Sequence, residues 1–129
     1  MLDINKCIWI TGASTGIGKA LALKLASEGF KIAVSARSIK NLKKLKKESK
    51  SLKGLISIYP LNINFREKVV STFNKIEKEL GGVGTVVLNA AINEPANSQN
   101  FSSKKLENIM HVNYVGTVNC LDPVIKKFT

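Results

Sequence analysis

Apolar positions along the chain follow two alternating rhythms. Cys7-Ile8-Trp9-Ile10 is a short apolar run closed by Thr11-Gly12, and it predicts a first strand. Ile17, Ala20, Leu21 and Leu25 then recur at helical spacing up to Glu28-Gly29, a helix stop. Lys31 to Ser35 reads as a second strand and Ile39 to Ser51 as a lysine-rich helix, and Leu42, Leu45 and Leu52 are interleaved at helix-like spacing among the lysines of 40–53. Leu55 to Leu61 predicts a third strand, with Pro60 near its end. A third helix is expected from about Phe65 to Leu80, burying Val69, Val70, Phe73, Ile76 and Leu80, and Gly81-Gly82-Val83-Gly84 breaks it. Thr85 to Ala90 is continuously apolar, as expected of a strand buried on both faces. Ile92 to Ser102 is polar loop. Ser103 opens a long helix to about Phe128, whose last turns Pro123 should kink or loosen.

Strand–helix–strand units of this length imply parallel strands joined by right-handed crossovers. The expected fold class is α/β, a doubly wound open parallel sheet. In the dinucleotide-binding (Rossmann-like) order the four strands run 3-2-1-4, with a ligand crevice between the first and fourth. Apart from the lysine-biased helix the chain shows no repeat, linker or low-complexity stretch.

Composition narrows the class. A length of 129 residues suits one domain, expected to span 1–129. Hydrophobic residues at 44% and charged residues at 22% match an ordinary globular protein rather than a disordered one. No apolar run approaches the roughly 20 residues of a membrane span, so no membrane partner is expected. Met1 to Lys6 lacks the regions of a signal peptide, which makes the cytoplasm the expected compartment. Cys7 and Cys120 each sit among apolar residues and read as buried free thiols. With one histidine and no Cys-x-x-Cys, zinc is disfavoured and no metal site is expected.

Twenty Lys and Arg against nine Asp and Glu give a net charge of +11, which favours anionic partners. Lys40, Lys43, Lys44, Lys46, Lys47, Lys50 and Lys53 carry much of the excess. The plain reading is the solvated face of an amphipathic helix. A nucleic-acid surface would need aromatic residues among the cations, and none is present, so no nucleic-acid partner is expected.

The first strand runs into Thr11-Gly12-Ala13-Ser14-Thr15-Gly16-Ile17-Gly18, and a helix follows. Gly12 can turn the chain at positive φ. Gly16 can admit a pyrophosphate to the backbone, and Gly18 can let helix and strand pack closely. Free N–H groups and the helix dipole then face the anion. This T-G-x-x-x-G-x-G spacing resembles the short-chain dehydrogenase/reductase family. Further matches follow in order. Leu88-Asn89-Ala90-Ala91 resembles the family's N-N-A-G, departing at Leu88 and Ala91. Val112-Asn113-Tyr114-Val115-Gly116 resembles its V-N-x-x-G.

The resemblance implies Gly12, Ser14, Thr15, Gly16, Ile17, Gly18, Asn62, Ile63, Asn89, Ala90 and Ala91 as cofactor-binding residues. Asn62 stands where the family usually has an aspartate touching adenine, and an amide oxygen can accept the same bond. Ala91 replaces a glycine beside the nicotinamide ribose. Asn89 has two open readings, a cofactor contact or a bridge between strands. NAD-preferring members carry an acidic residue near the end of the second strand, where this chain has Ala36 followed by Arg37. A guanidinium pairs with a 2′-phosphate that a carboxylate would repel, so NADP is the expected cofactor, ahead of NAD. Asn113 matches the family's active-site asparagine, which helps hold a proton-relay water. His111 reads as an ordinary helix residue.

The family transfers a hydride between the nicotinamide and a small-molecule carbonyl or alcohol substrate, using a serine and a Tyr-x-x-x-Lys pair. Neither Tyr59 nor Tyr114 has a lysine four residues on. The resemblance covers the N-terminal part of the family domain, so the chain is expected to be truncated, with an open apolar edge at its fourth strand. It should be inactive alone, and a homo-oligomer is conceivable if the rest is supplied. Two readings stand side by side. One is the NADP-binding part of a reductase. The other is a non-catalytic nucleotide-binding fragment or pseudoenzyme.

Overall fold

All five residues of β1 (Cys7–Thr11) are buried in the computed structural model, which describes residues 1–129. Period-two alternation sends Cys7 and Trp9 to one face of the sheet and Ile8 and Ile10 to the other, so each face has its own core. Strands β2 (Lys31–Ser35), β3 (Leu55–Ile58) and β4 (Val83–Leu88) join β1 in one parallel sheet of order β3-β2-β1-β4, the expected 3-2-1-4. Helices α1 (Gly16–Ser27) and α2 (Ile39–Glu48) cover the Ile8 face through Ala22, Ala26, Leu42 and Leu45. The Trp9 face is covered by α3 (Arg66–Leu80), through Val69, Phe73 and Ile76, and by a long helical run. That run comprises α4 (Ser103–Met110), a π-helical turn (His111–Gly116) and α5 (Thr117–Phe128), and it contributes Val112, Cys120 and Val124. The result is a three-layer α/β fold. No helix is long and apolar enough to cross a membrane.

Trp9 anchors its core in two ways. Its ring centroid lies 5.6 Å from that of Phe73 at an interplanar angle of 52°, and its Nε1 donates to the buried Ser35 Oγ at 2.9 Å. Both cysteines are buried free thiols in this same layer. Burial pushes Cys7 up to about 11 and Cys120 up to about 12, so both stay protonated.

Helix α1 corrects the sequence expectation. Its buried row is Gly18, Ala22 and Ala26, whereas Ile17 and Ala20 are exposed and Leu21 and Leu25 half-buried. Small residues at four-residue spacing let the helix backbone lie close to the sheet, which larger side chains would prevent. Other boundaries shift for local reasons. α2 stops at Glu48 because Ser49 turns back, its Oγ donating to Lys46 O at 2.7 Å. β3 stops at Ile58, and Pro60 has no N–H to give. Tyr59 N and Leu61 N on either side still donate to Val34 O and Ala36 O, both at 2.9 Å. β4 begins at Val83, inside the stretch read as a break, and Gly81 at φ +77° ends α3. Thr85 to Leu88 are half-buried rather than buried on both faces, because β4 pairs on one side only, with β1. The long helix runs through Pro123 to Phe128, and its irregularity lies earlier, in the π-helical turn.

Candidate cofactor site

The C-terminal ends of β1 and β4 open a cavity of about 840 Å³. Its floor is the glycine loop, held by a small set of bonds. Thr11 Oγ1 accepts from Asn89 N at 3.1 Å and from Ala90 N at 3.2 Å, and Asn89 Nδ2 donates to Gly12 O at 3.0 Å. Asn89 therefore bridges β4 to the loop while also lining the cavity, so its two readings share one residue.

The three glycines answer to different constraints. Gly12 adopts φ +66°, and a Cβ there would stand 2.6 Å from Ala90 Cα. A Cβ on Gly18 would stand 2.5 Å from Gly12 O and 2.6 Å from Asn89 Nδ2, so Gly18 sets the distance between helix and loop. Gly16, at φ +58°, has no protein atom within 4 Å of its Cβ position and borders the cavity itself. Helix α1 starts there without a side-chain cap and without an acidic residue in its first turn. Its first N–H groups thus have no protein acceptor, as an anion site at a helix N-terminus requires.

Of the residues assigned to the cofactor from the sequence, Gly12, Ser14, Thr15, Gly16, Ile17, Arg37, Asn62, Ile63, Asn89, Ala90 and Ala91 all line this one cavity. Gly18 lies beneath the loop and does not. Asn62 Oδ1 accepts from Asn64 N at 3.0 Å, which fixes the turn after β3. Asn113 stands outside the lining. Its Oδ1 accepts from Ile92 N at 2.8 Å and its Nδ2 donates to Ile92 O at 2.8 Å, so the amide ties the helix to the loop after β4. His111 is exposed.

Sequence reasoning missed Ser35, Ser38, Asn41, Leu61, Ile92 and Val112, which line the cavity together with Ala36, the residue singled out beside Arg37. Ser38 had a legible signal: it caps α2, its side chain accepting from Asn41 N at 3.2 Å. The others contribute through position at strand and helix ends. Arg37 is the only charged residue in the lining, and no carboxylate is present. The residues fit an elongated phosphorylated ligand: uncapped N–H groups in the middle, a cation at one end and an uncharged wall of Asn89, Ala90 and Ile92 at the other.

A three-layer sheet of order 3-2-1-4 with a glycine loop at its switch point defines a dinucleotide-binding fold. A sequence model described as short chain dehydrogenase matches residues 6–129, and the chain belongs to that family. It is 29% identical over 122 residues to the 3-oxoacyl-(acyl-carrier-protein) reductase FabG of Staphylococcus epidermidis, covering 94% of this chain and 50% of the relative. It is 33% identical over 115 residues to a 3-oxoacyl-(acyl-carrier-protein) reductase of Rattus norvegicus, covering 89% of this chain and 48% of the relative. Among solved structures, an alcohol dehydrogenase from Thermococcus sibiricus complexed with 5-hydroxy-NADP superposes with a TM-score of 0.86 at 30% identity. That match covers 94% of this chain and 52% of the other. The chain thus spans about half the length of the relatives it matches.

Proposed function

We propose that this chain is the cofactor-binding part of an oxidoreductase that holds NADP(H) in preference to NAD(H). The observation that carries the preference is Arg37, the one charged residue on a cavity wall that has no carboxylate. A carboxylate at the end of β2 would accept bonds from the ribose hydroxyls and repel a 2′-phosphate, whereas a guanidinium pairs with it. The NADP derivative bound by the Thermococcus relative supports the same reading.

In this reading the uncapped N–H groups of α1 and the backbone at Gly16 hold the pyrophosphate. Arg37, Ser38 and Asn62 receive the adenosine end, and Asn89, Ala90 and Ala91 border the nicotinamide end. The bound nicotinamide supplies the hydride chemistry, exchanged with a small carbonyl or alcohol. The names of the reductase relatives make a 3-oxoacyl-(acyl-carrier-protein) the substrate class to test first.

Calorimetric titration with NADPH and NADH tests the cofactor reading. Tighter NADPH binding is expected, and Arg37→Ala should weaken it by about 1.5–3 kcal/mol while leaving NADH nearly untouched. Equal affinities in the unmodified chain, or unchanged discrimination in Arg37→Ala, would sink the reading.

A further inference from the structure

A second, smaller concavity of about 500 Å³ opens beside the first, and the two share Arg37, Leu61 and Asn62. Arg37 is therefore a partition with a cavity on either side. The rest of the second lining is Pro60, Phe65, Lys68 and Thr72. Lys68 and Thr72 lie one turn apart on the same face of α3, at its N-terminal end. Phe65 precedes that helix and is 60% exposed, a large aromatic side chain left against solvent.

Two cations and no carboxylate line this space. The chain has six ion pairs, and neither Arg37 nor Lys68 takes part in any of them. Glu67, the carboxylate next to Lys68, lines a different groove together with Asp122 and Lys126. Two unpaired like charges around one concavity repel each other until an anion enters between them. A phosphate monoester carries about −1.5 to −2 charges at neutral pH, more than one guanidinium neutralises. An ammonium lining the same concavity makes up the difference. Pro60, Leu61 and Phe65 supply an apolar surface for the nucleoside that carries such a phosphate.

Resting on the NADP(H) reading above, we propose that the concavity lined by Arg37 and Lys68 extends the adenosine end of the first cavity and receives the 2′-phosphate, and that Lys68 is a specificity-determining residue for that phosphate. Arg37 supplies a planar fork with fixed donor directions, and Lys68 a point charge on a flexible stem. Phe65 gains burial when the adenosine seats.

The test compares 2′,5′-ADP with 5′-AMP, and NADPH with NADH, on the full chain and on Lys68→Ala, Arg37→Ala and Lys78→Ala. Lys78 lies near the far end of α3 and lines none of these cavities. Lys68→Ala changes an exposed residue and should leave the circular dichroism spectrum and melting point unaltered. It is expected to weaken 2′,5′-ADP and NADPH about 5- to 20-fold and to change 5′-AMP and NADH less than about twofold. Lys78→Ala should change neither, which separates a local contact from net charge. An equal loss for both ligands of each pair, or no loss in Lys68→Ala while Arg37→Ala still discriminates, overturns the role of Lys68 and leaves the cofactor reading standing. If the unmodified chain does not distinguish 2′,5′-ADP from 5′-AMP, the cofactor reading fails and this proposal fails with it.

Discussion

The side chain of Asn113 and the main chain of Ile92 close a two-bond ring, each accepting from the other at 2.8 Å. Ile92 borders the large cavity in the loop after β4, and Asn113 sits in the π-helical turn. The ring thus fixes a loop that has no ladder partner of its own to the most irregular part of a helix.

Asn113→Leu removes both bonds and leaves the N–H and C=O of Ile92 without their partner. A loss of about 1–3 kcal/mol in stability is expected by urea denaturation, together with weaker cofactor binding. Asn113→Asp keeps the acceptor for Ile92 N but cannot donate to Ile92 O, so it should fall between the two. A leucine variant as stable as the unmodified chain would show that the ring contributes nothing.

Gly16 and Gly18 separate ligand binding from folding. Gly16→Val puts a side chain where no protein atom lies within 4 Å. It should cost about 1–2 kcal/mol for the positive φ, keep the helix content and abolish binding of the dinucleotide. Gly18→Ala drives a methyl into Gly12 O and Asn89 Nδ2, at 2.5 and 2.6 Å, and should destabilise the fold by about 1–3 kcal/mol. Circular dichroism and calorimetry on both variants check the contrast, and undiminished binding in a folded Gly16→Val would remove the loop from the phosphate site.

Alkaline pH should destabilise the chain through its two thiols. Below the ordinary value of 9.0 both are protonated whether the chain is folded or not. Above it the unfolded chain releases protons that the folded chain keeps until about 11 for Cys7 and about 12 for Cys120. Stability is therefore fully present below pH 9 and falls as pH rises from there. Tyr59, raised by burial and by its 2.7 Å bond to Glu79 Oε2, adds a loss of the same sign at higher pH. Denaturation midpoints measured from about pH 8 to about 10 should decline, and a Cys7→Ala, Cys120→Ala double variant should flatten that decline.

Lys43 of α2 is exposed, with Lys40 three residues before it and Lys47 four residues after. Lys43→Glu converts both neighbours from repulsive to attractive, with the acid on the N-terminal side of Lys47. The expected gain is about 0.5–1 kcal/mol at low salt, shrinking as salt is added. An unchanged melting temperature at low salt would mean that the lysine face carries no internal strain.

What was legible in the sequence follows from which signals are local. The short apolar run Cys7-Ile8-Trp9-Ile10 was enough to give a buried strand, and the dinucleotide-binding pattern gave the sheet order. The glycine loop could be read because backbone conformation dictates its spacing. The small-residue row of α1 was misread, because large apolar residues outweigh Gly18, Ala22 and Ala26 in any periodicity. Ser35, Ile92 and Val112 escaped notice because they reach the cavity through tertiary placement. The place of Lys68 in the same concavity as Arg37 was equally hidden, since nothing local marks it among the chain's many lysines.

The π-helical turn at His111–Gly116 acts as a gear adjustment. Val112, Gly116, Cys120 and Val124 are buried at intervals of four residues, and an uninterrupted α-helix would swing such a row about 40° around its axis at each step. The wider turn takes up part of that drift at the first step, so the later members of the row still face the sheet. Gly116 rests against Ile63 there, where a Cβ would stand 2.7 Å from Ile63 Cδ1, and Asn119 Nδ2 donates to Ile63 O at 2.9 Å. Rewinding the same residues at regular α-helical pitch would rotate everything after the turn by about 100°, the angle that one extra residue adds. Cys120 and Val124 would leave the core, and Asn119 would lose Ile63, which borders the large cavity. The wider pitch of this stretch, more than the identity of any one residue in it, keeps the second half of the helix in phase with the sheet.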